Sequence, residues 1–180
     1  GKNGCVLIND SYNSDLASLD IALDFMSRRS EDKGRKRTLI LSDLLETGQT
    51  SKLLYRQVAE LVQSRGVDKV IGVGEEIRSA ASRFDMKKYF FRTTEELLAS
   101  DLLATLRNEV ILIKGSRSFH FDEISDRLEL KVHETILEIN LNALVDNLNF
   151  YRGRLKPETK MVCMVKASAY GAGSYEVAKT

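Results

Sequence analysis

The chain has 180 residues, 43% of them hydrophobic and 29% charged, with 27 Lys and Arg against 26 Asp and Glu. That balance describes a foldable globular protein and excludes disordered, collagen-like and strongly polyanion-binding classes. No apolar run approaches the roughly 20 residues that cross a bilayer, and no signal-peptide pattern opens the chain.

Cys5 and Cys163 each lie in an apolar run and read as reduced core residues of a cytoplasmic protein. His120 and His133 have no ligand-like spacing, so no metal site is expected. The chain opens at Gly1 and ends at Thr180 inside a helical pattern, which reads as a piece of a longer polypeptide.

Short apolar runs alternate with amphipathic patterns up to about residue 130. Cys5–Asn9 reads as a strand, and Leu16, Leu19, Leu23 and Met26 follow at helical spacing behind Ser14 or Asp15 as N-cap. The basic stretch Arg28–Arg37 also holds Glu31 and Asp32 and no aromatic residue, which makes it a solvated loop rather than a nucleic-acid patch. Thr38–Leu41 is the second strand. Leu54, Val58, Leu61 and Val62 form the next helix behind Thr50 or Ser51, and Gly66 ends it. Lys69–Val73, Tyr89–Phe91 and Val110–Ile113 complete five strands. Helices over Glu75–Arg83 and Thr94–Arg107, the latter with a break near Ser100, lie between them, and a last helix runs from near Phe119 to about Leu128. This alternation predicts an α/β fold, a mostly parallel sheet with right-handed crossovers and helices on both faces.

The rhythm restarts after Leu130, with a polar join around Glu129–Glu134 that divides residues 1–131 from 132–180. Thr135–Ile139 reads as a strand and Leu141–Tyr151 as a helix with Leu141, Leu144, Val145, Leu148 and Tyr151 inward. Pro157 marks the turn into a strand over Lys160–Val165, completing a βαβ unit.

Three strand ends of the first unit carry polar clusters: Asn9–Asp15, Ser42–Gly48 and Lys114–Ser118. They open on one edge of a parallel sheet, where such folds bind ligands. Asp10 and Asn13 can bond ribose or amide groups, Lys114 and Arg117 can hold anions, and Gly115 lets backbone N–H groups approach. Asp43 and Glu46 read equally well as capping and turn residues. There is no P-loop and no G-x-G-x-x-G, so this unit is not expected to bind a nucleotide unaided, and a nucleotide-dependent oxidoreductase is disfavoured. In the second unit Lys166 ends the apolar run of Met161, Val162, Met164 and Val165, followed by Tyr170 and Gly171-Ala172-Gly173. Desolvation there lowers an amine pKa and prepares it for Schiff-base formation; the plain alternative is a lysine that reaches solvent.

The first unit resembles the C-terminal domain of the Mur ligases. INDSYNSD at Ile8–Asp15, LSDLLETG at Leu41–Gly48, the glycines of IGVGEE at Ile71–Glu76 and ILIKGSRSFHFDEI at Ile111–Ile124 stand in the family's order. The resemblance implies a Rossmann-like domain of an ATP-dependent, Mg2+-assisted amide ligase. Such an enzyme adds D-Ala-D-Ala to a UDP-N-acetylmuramoyl tripeptide through an acyl phosphate, with this domain swinging onto a central ATP-binding one. It further implies that Asp10, Tyr12, Asn13 and Ser14 face nucleotide and acyl phosphate, and that Lys114, Gly115, Ser116 and Arg117 face the incoming amino acid. Asn9 and Asp15 depart from an acidic residue and a proline usual in the family, and Tyr55 from a common histidine.

LEINLNALVDNLNFYRGRL at Leu137–Leu155 and KMVCMVKASAYGAG at Lys160–Gly173 resemble the start of the alanine racemase barrel. That implies the beginning of a TIM-type barrel, Lys166 as the lysine that binds pyridoxal phosphate, and Tyr170 as a contact to the cofactor phosphate. Ser168 and Ala172 replace a common asparagine and histidine. Together the two resemblances imply the junction of a bifunctional cell-wall precursor enzyme with alanine as a further substrate. Taken alone, the piece is expected to be inactive, since a closed barrel takes roughly 250 residues. Its tail is expected to dock on the first unit, to exchange with another copy as a homodimer, or to stay unfolded. The alternative is a nucleotide-fold binding or regulatory module whose second unit is a dimerisation arm.

Overall fold

Five runs rich in Val, Ile, Leu and Phe pair in parallel: β1 (Val6–Asp10), β2 (Lys36–Ser42), β3 (Lys69–Val73), β4 (Lys87–Phe91) and β5 (Glu109–Lys114). Their order across the sheet is β1-β5-β2-β3-β4. The computed structural model describes residues 1–12, 14–31, 34–44, 48–130, 138–171 and 173–179. It divides into two units, Gly1–Leu130 and Lys131–Thr180.

The predicted α/β sheet is present, and every strand expected in the first unit forms within two residues of its predicted limits. Side chains alternate between the faces of each strand, so each strand feeds two cores. Leu39, Leu41, Val70, Val110 and Leu112 pack with Leu19, Leu23, Val58 and Ile77 on one face. Ile40, Ile71, Ile111 and Ile113 pack with Leu97, Leu103, Phe121 and Ile124 on the other. Fully burying one such side chain is worth about 1.5–3 kcal/mol, so these strands are fixed mainly by what covers them.

Helices α1 (Leu16–Glu31), α2 (Ser51–Ser64) and α3 (Glu75–Ser79) send residues to the first face, α4 (Thr94–Ala99) and α5 (Asp122–Leu128) to the second. Asp15 caps α1: its Oδ1 accepts the Ser18 amide at 2.9 Å and its Oδ2 the Ser18 hydroxyl at 2.8 Å. Behind α2, Gly66 takes φ +64°, which lets its amide reach Gln63 O and that of Val67 reach Val62 O. That is a Schellman ending, with buried Val67 over Val62 as its apolar contact.

The helix expected over Thr94–Arg107 stops at Ala99 and resumes as a 3-10 turn, Leu103–Thr105. The Glu75–Arg83 helix likewise ends at Ser79 before a 3-10 turn over Ala81–Arg83. The last helix starts at Asp122, after a 3-10 turn at Arg117–Phe119.

In the second unit α6 (Leu141–Arg152) forms as expected, capped by Asn140, whose side chain accepts the Ala143 amide at 3.1 Å. Lys160–Val165 is not a strand, which corrects the expected βαβ unit. A parallel strand owes its hydrogen bonds to a neighbour, and no described residue of this unit supplies one. For the same reason Cys163 is exposed rather than a core residue, whereas Cys5 is buried. The expected inward face of α6 is uncovered too: Leu144 and Tyr151 are exposed, and no residue of the helix is buried. The strand expected at Thr135–Ile139 falls mostly outside the described residues, and Glu138 and Ile139 join no ladder.

Candidate functional site

All five strands run parallel, so the ends of β1, β2 and β5 deliver Asp10, Ser42-Asp43 and Lys114 to one edge. There they meet in register, Asp10 beside Lys114 and Leu41 beside Lys114 on the opposite side. Lys114 is the most unusual residue of the group: its side chain is 1% exposed, and its Nζ lies 2.8 Å from Asp10 Oδ2. A buried lysine is tolerated only when its charge is partnered, so Lys114 is directed inward at Asp10 while the outer part of the Asp10 carboxylate, 43% exposed, faces the edge.

The chain then leaves the sheet as a fixed loop. A Cβ on Gly115 would stand 2.5 Å from the Phe121 ring, so this glycine makes room for an aromatic side chain. That role differs from the expected one of admitting a ligand to the backbone. The Ser116 amide donates to the fully buried Ser42 Oγ at 3.0 Å, and the Ser116 hydroxyl sits 2.8 Å from that of Ser118. Arg117 is exposed and projects from this anchored base.

A cleft of about 600 Å³ lies over the edge, lined by Asn9, Asp10, Ser11, Tyr12, Arg117, His120 and Asp122. Of the expected nucleotide-side residues, Asp10 and Tyr12 line it, Tyr12 being 67% exposed. Ser14 is buried, and its hydroxyl has no hydrogen-bond partner among the described residues. Asn13 lies outside the described residues. Of the expected amino-acid-side residues only Arg117 reaches the cleft; Lys114, Gly115 and Ser116 support it from below.

Sequence reasoning passed over two contributors. His120 stands in the matching stretch Ile111–Ile124 without an assigned role, yet the 3-10 turn at Arg117–Phe119 and a left-handed His120 (φ +50°) fold the chain back so that it lines the cleft with Arg117. Ser42 carried no signal beyond its place at a strand end.

Asp43 turns away from the cleft, which decides between its two readings. Its Oδ1 accepts the Ile77 amide at 2.8 Å and its Oδ2 the Glu76 amide at 3.2 Å, capping α3. The Tyr55 hydroxyl donates to Asp43 Oδ1 at 3.2 Å and accepts the Leu44 amide at 3.3 Å. Burial pushes the Asp43 carboxyl up, against the pull of those two amides and the Tyr55 hydroxyl. Burial, followed by the Asp43 charge, pushes the Tyr55 hydroxyl well up as well, so it remains a donor. Glu46 lies outside the described residues.

In the second unit Lys166 is exposed and opens a short turn wound left-handed at Ala167, Ser168 and Ala169. Tyr170, at the end of that turn, is 68% exposed. An apolar cavity of about 460 Å³ lies between α6 and the segment after it, lined by Leu144, Leu148, Tyr151, Cys163, Val165 and Val177 among others. Neither Lys166 nor Tyr170 lines it, and none of its lining residues is charged. These residues do not form a seat for a phosphorylated aldehyde, and Lys166 does not emerge from the apolar strand expected for it. Ala172 lies outside the described residues. Among the described residues no group of three or more His, Cys, Asp or Glu could hold a metal ion, and no helix is long and apolar enough to cross a membrane.

Residues 1–117 match the family described as Mur ligase, glutamate ligase domain, and residues 139–180 match the N-terminal domain of alanine racemase. The UDP-N-acetylmuramoyl-tripeptide–D-alanyl-D-alanine ligase of Escherichia coli (strain K12) is 27% identical over 125 residues, which are 69% of this chain and 27% of that protein. An amino-acid racemase of Enterococcus faecalis is 49% identical over 41 residues, 23% of this chain and 6% of that one. The fold is shared with solved MurF structures. One from Acinetobacter baumannii has a TM-score of 0.58 at 21% identity, covering 71% of this chain and 29% of its own. One from Thermotoga maritima in complex with ADP has a TM-score of 0.52 at 20% identity, covering the same 71% and 29%. The chain spans about a quarter of the length of the curated ligases it matches.

Proposed function

The chain belongs to the Mur ligase family through its glutamate ligase domain, and from that premise we propose that the first unit is the C-terminal domain of an ATP-dependent ligase. In this reading the parent enzyme adds D-Ala-D-Ala to a UDP-N-acetylmuramoyl tripeptide, in the cytoplasm. The observation that carries it is the edge where the buried Lys114–Asp10 pair and the anchored Ser116 present Arg117 to the cleft. The ligase names of the relatives and the ADP held by the Thermotoga maritima MurF support it.

The exposed groups of the cleft suit a nucleotide-bearing site: Asn9, Asp10 and Ser11 offer hydrogen bonds to hydroxyl and amide groups, and Arg117 offers a cation. ATP with Mg2+, when bound, supplies the phosphoryl group that activates the substrate carboxylate. This chain's part is positional. Arg117 receives the carboxylate end of the incoming dipeptide through a charge-assisted pair. Asp10, held by Lys114, and Tyr12 line the nucleotide side. Holding two reactants in place accounts for much of the rate in a joining reaction, so fixing this edge matters as much as its charge.

The test is ADP release by the full-length ligase. Release should require both the tripeptide and D-Ala-D-Ala, and Arg117→Ala should raise the KM for the dipeptide by roughly tenfold or more, as expected on losing a charge-assisted contact. ADP release that ignores the dipeptide would overturn the reading.

For the second unit we propose the opening segment of an alanine racemase domain, with Lys166 at the position that holds pyridoxal phosphate in the complete barrel and Tyr170 near the cofactor phosphate. The short racemase match supports it. Since the residues described do not seat the cofactor, the 180-residue piece itself should neither bind it nor interconvert alanine enantiomers. Borohydride treatment of the full-length protein should leave a pyridoxyl group on the Lys166 peptide, absent from Lys166→Ala. A full-length protein without that adduct would remove the racemase part.

A further inference from the structure

We infer that Ser42 is a positioning residue for the loop that carries Arg117. The inference rests on the reading of that loop as the dipeptide side of the ligase. The β2–β5 ladder ends at the pair Leu41–Lys114. One residue further, Ser42 and Gly115 no longer pair, and β5 peels away from the sheet. The next free amide belongs to Ser116, and a side chain takes it: Ser42 Oγ accepts it at 3.0 Å. The same hydroxyl donates to the Asp43 carbonyl at 2.9 Å. Ser42 is fully buried, its bond to Asp43 is buried and that from Ser116 is part-buried, so its hydroxyl orientation is set by the two together.

The consequence is a relay between two strand ends. Asp43 is itself held by the Ile77 amide and the Tyr55 hydroxyl, and its own amide donates to Val73 O at 3.1 Å. The base of the Arg117 loop is therefore tied, through one serine, to β3 and to the start of α3. Lys114 ties the root of the loop to β1 through Asp10, and Gly115 seats it against the Phe121 ring. Ser42 ties it to the end of β2. Replacing the hydroxyl by hydrogen leaves the Ser116 amide without its acceptor while the Lys114–Asp10 pair and the Phe121 contact stay in place. The loop then keeps its path and loses its angle, and Arg117 meets the substrate carboxylate less often in the productive pose.

Two measurements test this separately. In the 180-residue chain, Ser42→Ala should speed hydrogen–deuterium exchange of the Ser116 amide by about tenfold, a local opening that leaves the sheet amides protected. Ser42→Thr, which keeps the hydroxyl, should exchange like the wild type. In the full-length ligase, Ser42→Ala should raise the KM for D-Ala-D-Ala about five- to tenfold with the smaller change in kcat, since small misplacements are costly to oriented encounters. Ser42→Thr should restore KM. Unchanged exchange at Ser116 in Ser42→Ala would overturn the anchor, whatever the ligase does. Faster exchange with an unaltered KM would overturn the positioning role. Ligase turnover that ignores the dipeptide in the wild type would instead sink the functional reading and leave the exchange measurement to decide the anchor.

Discussion

The two units carry the same kind of sequence signal and come out differently. Leu39–Leu41 and Ile111–Ile113 are short apolar runs, and each residue in them is fully buried in the sheet. Met161–Val165 is as apolar, yet Val162 is 93% exposed and no ladder includes it. In the same unit α6 forms where expected. A helix satisfies its backbone within its own sequence, whereas a strand must borrow its partners from elsewhere. What the contrast teaches is that an apolar run specifies burial only where something is present to bury it.

The contrast breaks most readily in β5. Leu112→Ala should destabilise the first unit by about 2–5 kcal/mol, because it leaves a cavity in the core that Leu19 and Leu23 of α1 share. Val162→Ala, at a matching place in its run, should stay within about 0.5 kcal/mol. Urea midpoints would compare them, and a large effect of Val162→Ala would show that the second run is packed after all. A smaller loss is expected at Gly115→Ala, about 1–3 kcal/mol, from the methyl meeting the Phe121 ring. Adding Phe121→Leu should recover part of it, and no recovery would point to backbone strain rather than the ring.

The smallest effect belongs to Asp15→Ala, about 1 kcal/mol for loss of the α1 cap. Its pH dependence sharpens the assignment. The Ser18 amide and hydroxyl hold the Asp15 carboxyl below its usual range. A depressed folded pKa means stability that is present above the ordinary value of 3.8 and lost as pH falls through the folded one. The gap between wild type and Asp15→Ala should thus be full at neutral pH and close on acidification. A gap that persists at low pH would mean the cap works without charge.

The sheet was legible because each of its runs is bounded by turn or cap residues and matched by a helix of the right period, as with Thr50, Val58 and Gly66 around α2. Helix ends were harder. The Thr94 helix stops at Ala99 because Ser100 already takes extended backbone, with ψ at 156°. Part of the site was legible too, since strand ends in a parallel sheet gather on one edge, and Asp10 and Arg117 were named there. What sequence could not give is the direction of each side chain. Lys114 looked like a ligand-facing cation and lies under Asp10; Asp43 looked ambiguous and caps α3; His120 reaches the cleft only through a left-handed residue. The first two outcomes depend on contacts 104 and 34 positions apart in the chain, which no local pattern encodes.

The strand order has a consequence for how this chain is made. β5 is the last strand to be synthesised and the second in space, wedged between β1 and β2. Until Glu109–Lys114 leaves the ribosome, the first strand has no hydrogen-bonding neighbour and both cores lack their middle. The β2-β3-β4 ladders can form earlier, but the closure that joins β1 to them waits for β5, and it spans the longest loop of the sheet. A nascent chain halted before residue 114 would expose the edges of β1 and β2 together, and holding them apart until the wedge arrives is a task suited to a chaperone.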